Sequence, residues 1–249
     1  MNRPLTTTFN GLRSEASIMA PLDRRRFYDQ VAGVYDERYA YPSRHGLRQA
    51  AWLGRLSAPG PLLDLGCGTG RMLPPLAQAG FSPVGLDCSP AMLDLARLRS
   101  VCPLVRADAA SGLPFQDQSF SMVVSLHATL VHLHQPGELE TALAECHRVL
   151  RPGGILVAEL PHPASYPSAS ALEAWREYQP GMSCRVAGRG LEEMRLDDLH
   201  GLRTLIRVLR LPDVQRLFQG WRRADLHPGF NGGHYKSDKG EVMVVVGWK

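Results

Sequence analysis

The chain of 249 residues is 44% hydrophobic and 21% charged, with 28 Lys and Arg against 24 Asp and Glu. This composition is ordinary for a globular protein, and the length suits one large α/β domain or two small ones. The small excess of positive charge is scattered, which disfavours a nucleic-acid partner. Because the five cysteines include no CxxC pair, we expect a reducing compartment and neither a disulfide framework nor a zinc site.

The N-terminal part of the chain is polar up to about residue 20 and then becomes helical in pattern. Residues 1–17 lack the apolar segment of a signal peptide, and no apolar run reaches membrane-spanning length, so we expect a cytoplasmic protein without a membrane partner. Apolar and aromatic residues recur at helical spacing over residues 23–55, which predicts two helices separated near Pro42. The arginines at residues 24–26 are expected to form a solvated face of the first helix.

From residue 61 onward, short apolar runs alternate with amphipathic segments. Ser89 is a suitable N-cap for one helix, with Pro90 at its first position, whereas Pro75 must bend or delay another. The alternation is typical of a parallel sheet covered by helices on both faces. We predict strands at residues 61–66, 83–87, 102–108, 121–127 and 155–160, helices at 71–80, 89–100 and 137–150, and a turn at 151–154.

The pattern changes after residue 160. Residues 161–203 are rich in proline and glycine and mixed in character, so we interpret them as an insertion and not as another regular unit. The closing hairpin is expected to add an antiparallel strand to the sheet. The predicted elements here are a strand at 204–210, a helix at 212–221 and strands at 222–228 and 240–249.

The segment LLDLGCGTG, residues 62–70, places three glycines directly after a predicted strand. Ligands bind beyond the carboxyl ends of strands in a parallel sheet, and this loop opens a helix, so its backbone N–H groups could face a ligand. Its spacing is GxGxG, whereas the dinucleotide fingerprint is GxGxxG. Alone, the loop is equally compatible with a structural turn.

Two aspartates at the ends of the next predicted strands favour a ligand. Asp87 ends the second strand, at the distance from the loop where a carboxylate accepts hydrogen bonds from ribose hydroxyls. Asp108 ends the third strand, where it could accept a hydrogen bond from an adenine amine. Either aspartate by itself would be an ordinary cap or turn residue, but their order along the chain favours a nucleoside site.

Four segments over residues 27–160 resemble, in order and spacing, the successive motifs of class I S-adenosylmethionine-dependent methyltransferases: LLDLGCGTG, VGLDCSPAML, RADAASGLPFQDQSFSMVVS and ECHRVLRPGGILVAEL. The resemblance implies an α/β, Rossmann-like fold with a doubly wound seven-stranded sheet, mostly parallel, with an antiparallel last strand and helices on both faces. It implies one domain over residues 1–249, comprising a helical lid at 1–55, a cofactor-binding core at 56–160, an insertion and possible substrate cover at 161–203, and a C-terminal helix and hairpin at 204–249.

The same resemblance implies S-adenosylmethionine as cofactor, S-adenosylhomocysteine as product, and no metal. Asp64 and the glycines would line the methionine end, Asp87 would bind the ribose and Asp108 the adenine edge. Tyr28 and Tyr35 are the expected lid contacts, although an ordinary amphipathic helix is the alternative. The implied cofactor-binding residues are Tyr28, Tyr35, Asp64, Gly66, Cys67, Gly68, Gly70, Asp87, Cys88, Met92, Asp108, Ala109 and Ser125.

Methyl transfer from a sulfonium is an in-line displacement that depends mainly on positioning. The groups nearest the methyl are expected after the fourth strand, where His127 and His132 are candidate catalytic residues that contact substrate or act as base. Packing or helix capping is the alternative for His132. His162, His234 and Tyr235 could also reach the pocket, although structural roles fit each of them as well.

We therefore predict a methyltransferase that acts on a small-molecule acceptor at oxygen or nitrogen. The alternatives are a methyltransferase acting on protein or nucleic acid, and a non-catalytic S-adenosylmethionine-binding module. SLHA follows the fourth strand where amino-base methyltransferases usually carry an Asn/Asp-Pro-Pro-aromatic motif, and no basic stripe compensates. The glycine spacing disfavours a nicotinamide oxidoreductase.

Overall fold

The computed structural model describes residues 20–40, 43–162, 175–179, 181–188, 190–196, 199, 201–230 and 242–249. His234 and Tyr235 lie outside these residues. The described α-helices are α1 (Arg24–Arg38), α2 (Ser43–Leu56), α3 (Leu73–Gln78), α4 (Pro90–Arg99), α5 (Glu138–Val149) and α6 (Leu211–Leu217). The strands are β1 (Pro61–Leu65), β2 (Ser82–Asp87), β3 (Leu104–Arg106), β4 (Phe120–Ser125), β5 (Leu150–Pro161), β6 (Arg176–Gln179), β7 (Met182–Gly188), β8 (Leu191–Leu196), β9 (Leu202–Arg207), β10 (Arg223–His227) and β11 (Val242–Trp248).

Seven strands form one sheet in the order β10-β11-β5-β4-β1-β2-β3. β1 runs parallel to β2 and β4, and β4 runs parallel to β5. Of the described strands in this sheet, β11 alone runs against its neighbours, β5 and β10. The predicted Rossmann-like fold with an antiparallel last strand is therefore confirmed. The chain proceeds from β1 outward to β2 and β3 and then returns to β4, which makes the crevice between β1 and β4 the expected ligand site.

Apolar cores cover both faces of this sheet. Neighbouring residues Leu62 and Leu63 in β1 point to opposite faces, yet both are fully buried. Leu63 packs in a cluster with residues of α5, whereas Leu62 packs with Trp52 of α2 and Leu76 of α3. This is the environment that continuous apolar runs predict for parallel strands. None of the described helices combines the length and apolar character needed to cross a membrane.

Local signals place the starts of the helices around the site. The Ser89 Oγ accepts a hydrogen bond from the Met92 N–H at 3.1 Å, and Pro90 is the first residue of α4, as predicted. α3 begins two residues later than expected, at Leu73. This start puts Pro74 and Pro75 in the first turn, where an α-helix has no use for their missing N–H groups.

The prediction of a turn at residues 151–154 is wrong, because these residues belong to β5. Leu150 pairs with Phe120, and the register then shifts before Ile155 pairs with Met122. Gly153 takes a φ of +75° at this irregularity. The glycines that suggested a turn therefore accommodate a break in register within a continuing strand.

Residues 176–207 form a second, four-stranded antiparallel sheet in the order β6-β7-β8-β9. The predicted insertion at residues 161–203 thus contains regular antiparallel strands, which the sequence pattern did not indicate, and the sheet extends to Arg207, beyond the predicted boundary. Gly181, Gly190 and Gly201 lie between consecutive strands at φ between +70° and +75°. Glycines that suggested irregular structure thus serve as the left-handed residues of the connecting turns.

The second sheet and α1 together cover the carboxyl edge of the main sheet. Phe27 and Val31 of α1 share a buried cluster with Met182, Cys184 and neighbouring residues of the second sheet. Just before α1, the Leu22 N–H donates to the Arg203 carbonyl at 2.8 Å. The chain therefore builds its cover from two segments that are distant in sequence.

Candidate functional site

A cavity of about 780 Å³ lies under α1, at the carboxyl ends of the central strands. The candidate catalytic residues His127 and His132 both border it. Ten of the predicted cofactor residues also line it, namely Tyr28, Tyr35, Gly66, Cys67, Gly68, Asp87, Cys88, Met92, Asp108 and Ala109. The strand ends and the lid predicted from the sequence are therefore assembled around one space.

The three glycine positions after β1 are under different structural constraints. All have positive φ, at +76° for Gly66, +54° for Gly68 and +74° for Gly70. A Cβ on Gly66 would lie 2.3 Å from the Thr129 side chain, and one on Gly70 would lie 2.9 Å from that of Ala96. A Cβ on Gly68 would meet nothing within 4 Å. Packing within the protein thus accounts for Gly66 and Gly70, whereas Gly68 faces open space beside the cavity.

Hydrogen bonds within the protein already engage several N–H groups of this loop. Those of Gly66 and Cys67 donate to the Leu86 carbonyl at 2.7 and 2.9 Å, and that of Gly68 donates to the Asp87 Oδ2 at 2.9 Å. The prediction that the loop N–H groups face a ligand is wrong for these three. They fix the loop against the end of β2.

Asp87 connects this loop to α4. Its Oδ1 accepts a hydrogen bond from the Ser89 N–H at 2.8 Å, while its Oδ2 accepts that of Gly68. Burial raises the pKa of Asp87, although these backbone hydrogen bonds favour the charged form. The Cys88 N–H also favours the charged form. A carboxylate has about four acceptor sites, so Asp87 keeps capacity for a donor from the cavity.

Asp64 lies at the end of β1 and is 2% exposed. Its Oδ2 has no hydrogen-bond partner among the described residues. Burial and the negative charge of Asp87 raise the pKa of Asp64 to about 7. A buried carboxylate without a donor is costly, so this orphaned oxygen fits a cationic group supplied by a ligand.

Three predicted cofactor residues do not line the cavity: Asp64, Gly70 and Ser125. Ser125 ends β4 fully buried, and its hydroxyl has no hydrogen-bond partner within the described part of the chain. His162 is also buried and borders neither this cavity nor the second one described below.

α1 is attached over the cavity at its first turn. The Arg24 guanidinium donates to both oxygens of Asp108 at 2.6 and 2.7 Å and to Glu138 at 2.8 Å. Its side chain is 15% exposed, so the expected solvated face at residues 24–26 is wrong for Arg24 and correct for Arg25 and Arg26. The helical spacing from Arg24 to Phe27 would have shown that Arg24 shares the buried face.

The middle and the end of α1 carry further attachments. The Tyr28 hydroxyl and the His132 Nε2 are hydrogen-bonded at 2.7 Å. Asp36 accepts hydrogen bonds from the Thr69 hydroxyl at 2.8 Å and from Arg99 at 2.6 Å. Burial alone would raise the pKa of Asp36, but these two donors outweigh it and lower that pKa. The helix is thus tied to the main sheet along its length.

His127 follows β4 in a strained backbone. Its φ is +52° and that of Ala128 is +64°, a left-handed conformation that costs a non-glycine residue roughly 1–2 kcal/mol. The His127 N–H donates to the Glu159 Oε2 at 3.0 Å, which helps to hold this conformation. Such strain concentrates at functional sites, and here it lies at the edge of the cavity.

Both candidate catalytic histidines are neutral at physiological pH. Burial, with the nearby charge of Arg71, lowers the pKa of His127 to about 3. Burial also lowers the pKa of His132 to about 4. At such values the imidazoles are weak proton acceptors, and hydrogen bonding is the chemistry they offer.

A second cavity of about 940 Å³ opens beside the first. The two share Tyr28, Tyr35, Arg71, His127 and His132, so these residues surround the junction. Beyond the junction, the second cavity is lined by Glu159 and by the second-sheet residues Met182, Cys184, Glu192, Met194 and Ile206.

Sequence reasoning missed the two glutamates of the second cavity. Glu159 interrupts an apolar strand, a signal that could have identified it. Glu192 lies in the region interpreted as an insertion, so the sequence pattern did not show that it occupies the cavity-facing side of a strand. Within the described residues, no group of three or more His, Cys, Asp or Glu could hold a metal ion.

Comparison with known proteins identifies similar chains. A family model described as a methyltransferase domain matches residues 62–154. A demethylmenaquinone methyltransferase from Tropheryma whipplei is 31% identical over 153 residues, which are 57% of this chain and 61% of that protein. A malonyl-[acyl-carrier protein] O-methyltransferase from Serratia marcescens is 29% identical over 218 residues, covering 83% and 80% of the two chains. Several curated relatives are matched over only 49% to 61% of their own length.

The methyltransferase CcbJ from Streptomyces caelestis, a solved structure, is similar in fold. It aligns with a TM-score of 0.75 and 22% identity, over 91% of this chain and 98% of that one. At this identity the likeness concerns the fold, and it includes the segments on both sides of the matched domain.

Proposed function

The chain belongs to the class I S-adenosylmethionine-dependent methyltransferases, and on that premise we propose that it transfers the methyl group of S-adenosylmethionine to a small-molecule acceptor at oxygen or nitrogen. The first cavity is the cofactor site and the second is the acceptor site. The observation that carries this proposal is that the two cavities meet at Tyr28, His127 and His132.

The residues around the first cavity suit the parts of this cofactor. The open side of Gly68 gives the methionine end room. Asp64 does not itself border the cavity, but the negative charge of its orphaned carboxylate suits the cationic amino group. Asp87 offers spare acceptor capacity to the ribose hydroxyls. Asp108 and Ala109 border the remaining end, where Asp108 would accept from the adenine amine. When bound, the cofactor supplies an electrophilic methyl group on a sulfonium.

The contribution of the chain is positioning. α1 closes over the first cavity and restricts the approach of water, while Tyr28 and His132 are held by their mutual hydrogen bond. Because the pKa of each histidine is low, at about 3 for His127 and about 4 for His132, both are weak bases, and their contribution is to orient the acceptor by hydrogen bonds. Alignment of nucleophile and methyl carbon can by itself supply a large share of the rate, so the site needs no strong base for a neutral amine acceptor. A hydroxyl acceptor would pass its proton to a base or to water.

The cover favours a small acceptor. The second sheet lines the acceptor cavity with Met182, Met194 and Ile206, and a concave, mostly apolar lining of this kind is typical of small-molecule sites. A folded protein or a nucleic-acid duplex would need an open surface at the junction instead.

The test is to incubate the purified chain with methyl-labelled S-adenosylmethionine and a cell extract separated into small-molecule, protein and nucleic-acid pools. We expect label among the small molecules. Label in protein or RNA would instead support the alternative of a macromolecular acceptor. Calorimetric titration with S-adenosylmethionine runs beside it, and a failure to bind would contradict the proposal as a whole.

A further inference from the structure

Glu192 is a buried carboxylate that faces the second cavity. It lies in β8, is 3% exposed and has no hydrogen-bond or ion-pair partner among the residues that the structure describes. The other second-sheet side chains that line the cavity are apolar or weakly polar: Met182, Cys184, Met194 and Ile206. A carboxylate in such surroundings is costly unless something supplies it with a donor.

The neighbouring residue in β8 provides an internal comparison. Glu193 is also 3% exposed, but it forms ion pairs with Arg185 at 2.6 Å and with Arg203 at 2.8 Å. The chain therefore supplies two cations to Glu193 on one face of the strand. Glu192 has no such ion pair among the described residues. The charge of Arg210 lowers the pKa of Glu192 from a distance, but burial has the larger effect and raises that pKa to about 7.

The charges around the second cavity are unbalanced. Glu159 and Glu192 are the carboxylates that line it, and burial raises the pKa of both. Arg71 is the cation among the lining residues described, and it already donates to the Tyr39 carbonyl at 2.8 Å and lies over the Tyr35 ring. A positively charged ligand group would balance the excess of carboxylates, whereas an anionic one would add to it.

We propose that Glu192 is a specificity-determining residue that binds a basic nitrogen of the acceptor, so that the acceptor is an amine carrying an apolar ring or chain. This inference rests on the proposed function, because it takes the second cavity as the acceptor site. Glu192 borders the second cavity and not the first. The amine that it binds therefore lies against the outer wall, where it orients the acceptor and takes no part in the methyl transfer.

The experiment compares three ligands that share a phenyl ring and a short chain: 2-phenylethylamine, 2-phenylethanol and 3-phenylpropanoate. Their dissociation constants are measured by calorimetry at pH 8 with the cofactor site filled by S-adenosylhomocysteine. For the unmodified chain we expect the amine to bind at least about tenfold more tightly than the alcohol, and the carboxylate to bind most weakly. Equal affinity for amine and alcohol, or no binding of the amine at millimolar concentration, would overturn the inference.

Glu192→Gln removes the charge while keeping the shape of the side chain. We expect the preference for the amine over the alcohol to fall to about threefold or less, with the affinity for the alcohol unchanged. Glu177→Gln removes an exposed carboxylate from the same sheet and is expected to keep the full preference. Retention of that preference in Glu192→Gln would contradict the role of this residue.

Titration with S-adenosylhomocysteine separates the two proposals. If the unmodified chain binds this compound but shows no amine preference, the assignment of Glu192 fails and the proposed function stands. If the chain does not bind the compound at all, the proposed function itself fails. Since the comparison of the three ligands uses the unmodified chain, its result does not depend on the folding of a variant.

Discussion

The carboxyl group of Asp64 is buried at the end of β1 with one oxygen unpartnered in the described part of the structure. Burial and the charge of Asp87 raise its pKa from an ordinary value near 3.8 to about 7. Between these values the folded protein holds a proton that the unfolded chain has lost. The stabilising contribution of this group is therefore complete below about pH 4 and is lost as the pH rises to 7.

We predict that Asp64→Asn has opposite effects on stability and on binding. The neutral amide avoids the cost of a buried charge, so the Tm of the ligand-free variant should exceed that of the unmodified chain at pH 8 and match it near pH 4. On the proposed function, the variant also loses the negative charge that attracts the cofactor's amino group. A charge-assisted interaction of this kind is worth about 1.5–3 kcal/mol, so cofactor affinity should fall by roughly 10- to 100-fold. Calorimetric unfolding at the two pH values and titration with S-adenosylmethionine measure both effects.

Asp94→Asn is the matched control for this prediction. Asp94 lies on α4 with a side chain that is 73% exposed, so its replacement should alter neither the pH dependence of Tm nor cofactor affinity. A gain in Tm for Asp64→Asn that is equal at pH 4 and pH 8 would show that Asp64 ionises normally in the folded chain.

Single residues could be predicted from the sequence where their role is local. Asp64 and Asp87 lie near or at the ends of their strands, and Asp108 follows β3. The apolar pattern of these strands is visible in the sequence, so the position of the three aspartates at the carboxyl edge was predictable. Glu192 and Arg24 were missed for a different reason. Glu192 stands out because no cation lies close to it within the described structure. Arg24 stands out because it pairs with Asp108 and Glu138, which are 84 and 114 positions away in the chain. Both are facts of tertiary structure.

At the scale of elements, the glycine loop after β1 permits a comparison of two similar substitutions. In Gly66→Ala the new methyl group would meet Thr129 at 2.3 Å, so we expect a loss of about 3 kcal/mol or more from overpacking and left-handed strain. In Gly68→Ala the methyl group enters open space, and only the strain of roughly 1–2 kcal/mol applies. Gly68→Ala should nevertheless lose most of its cofactor affinity. Denaturant unfolding and calorimetric titration measure the two quantities, and normal cofactor binding by Gly68→Ala would refute this placement of the ligand.

The attachment of α1 can be tested with adjacent arginines. Arg24→Ala removes the donor to Asp108 and Glu138, so the helix should open more readily by about 1–2 kcal/mol. Amide hydrogen exchange in residues 24–38 should accelerate by roughly tenfold. Arg25→Ala changes an exposed residue of the same helix and should leave exchange unaltered. Equal exchange in both variants would show that the ion pairs do not hold the helix.

Among the elements, the second sheet was not predictable, and its residues show why. β8 places Glu192 and Glu193 next to each other, and both are buried on opposite faces of the strand, so the usual alternation of apolar and polar residues is absent. The connections between the strands of the second sheet contain Gly181, Gly190 and Gly201, and glycines at such spacing also suit a disordered linker. The strands of the main sheet lack this ambiguity, because burial on both faces makes them continuously apolar.

At the scale of the whole molecule, the two cavities are joined to the cover by one apolar cluster. Phe27 and Val31 of α1 pack with Met182 and Met194 of the second sheet, and the same cluster contains Met92 of α4. Met92 also lines the first cavity. A ligand in that cavity therefore contacts the main sheet and the cover together, and its binding should stabilise the chain as a unit.

This continuity leads to a prediction for thermal unfolding. A ligand that binds only the folded state at 100 times its dissociation constant adds about 2.7 kcal/mol of stability. For a chain of this size, each kcal/mol corresponds to about 2–4 °C in Tm, so S-adenosylhomocysteine should raise Tm by roughly 5–10 °C. NAD at the same concentration should change Tm by less than about 1 °C, because the GxGxG spacing and the short loop are not those of a dinucleotide site. A comparable increase in Tm with NAD would contradict the assignment of the first cavity. If S-adenosylhomocysteine moves the whole unfolding transition to higher temperature and the transition stays a single step, the result would support binding to one cooperative unit.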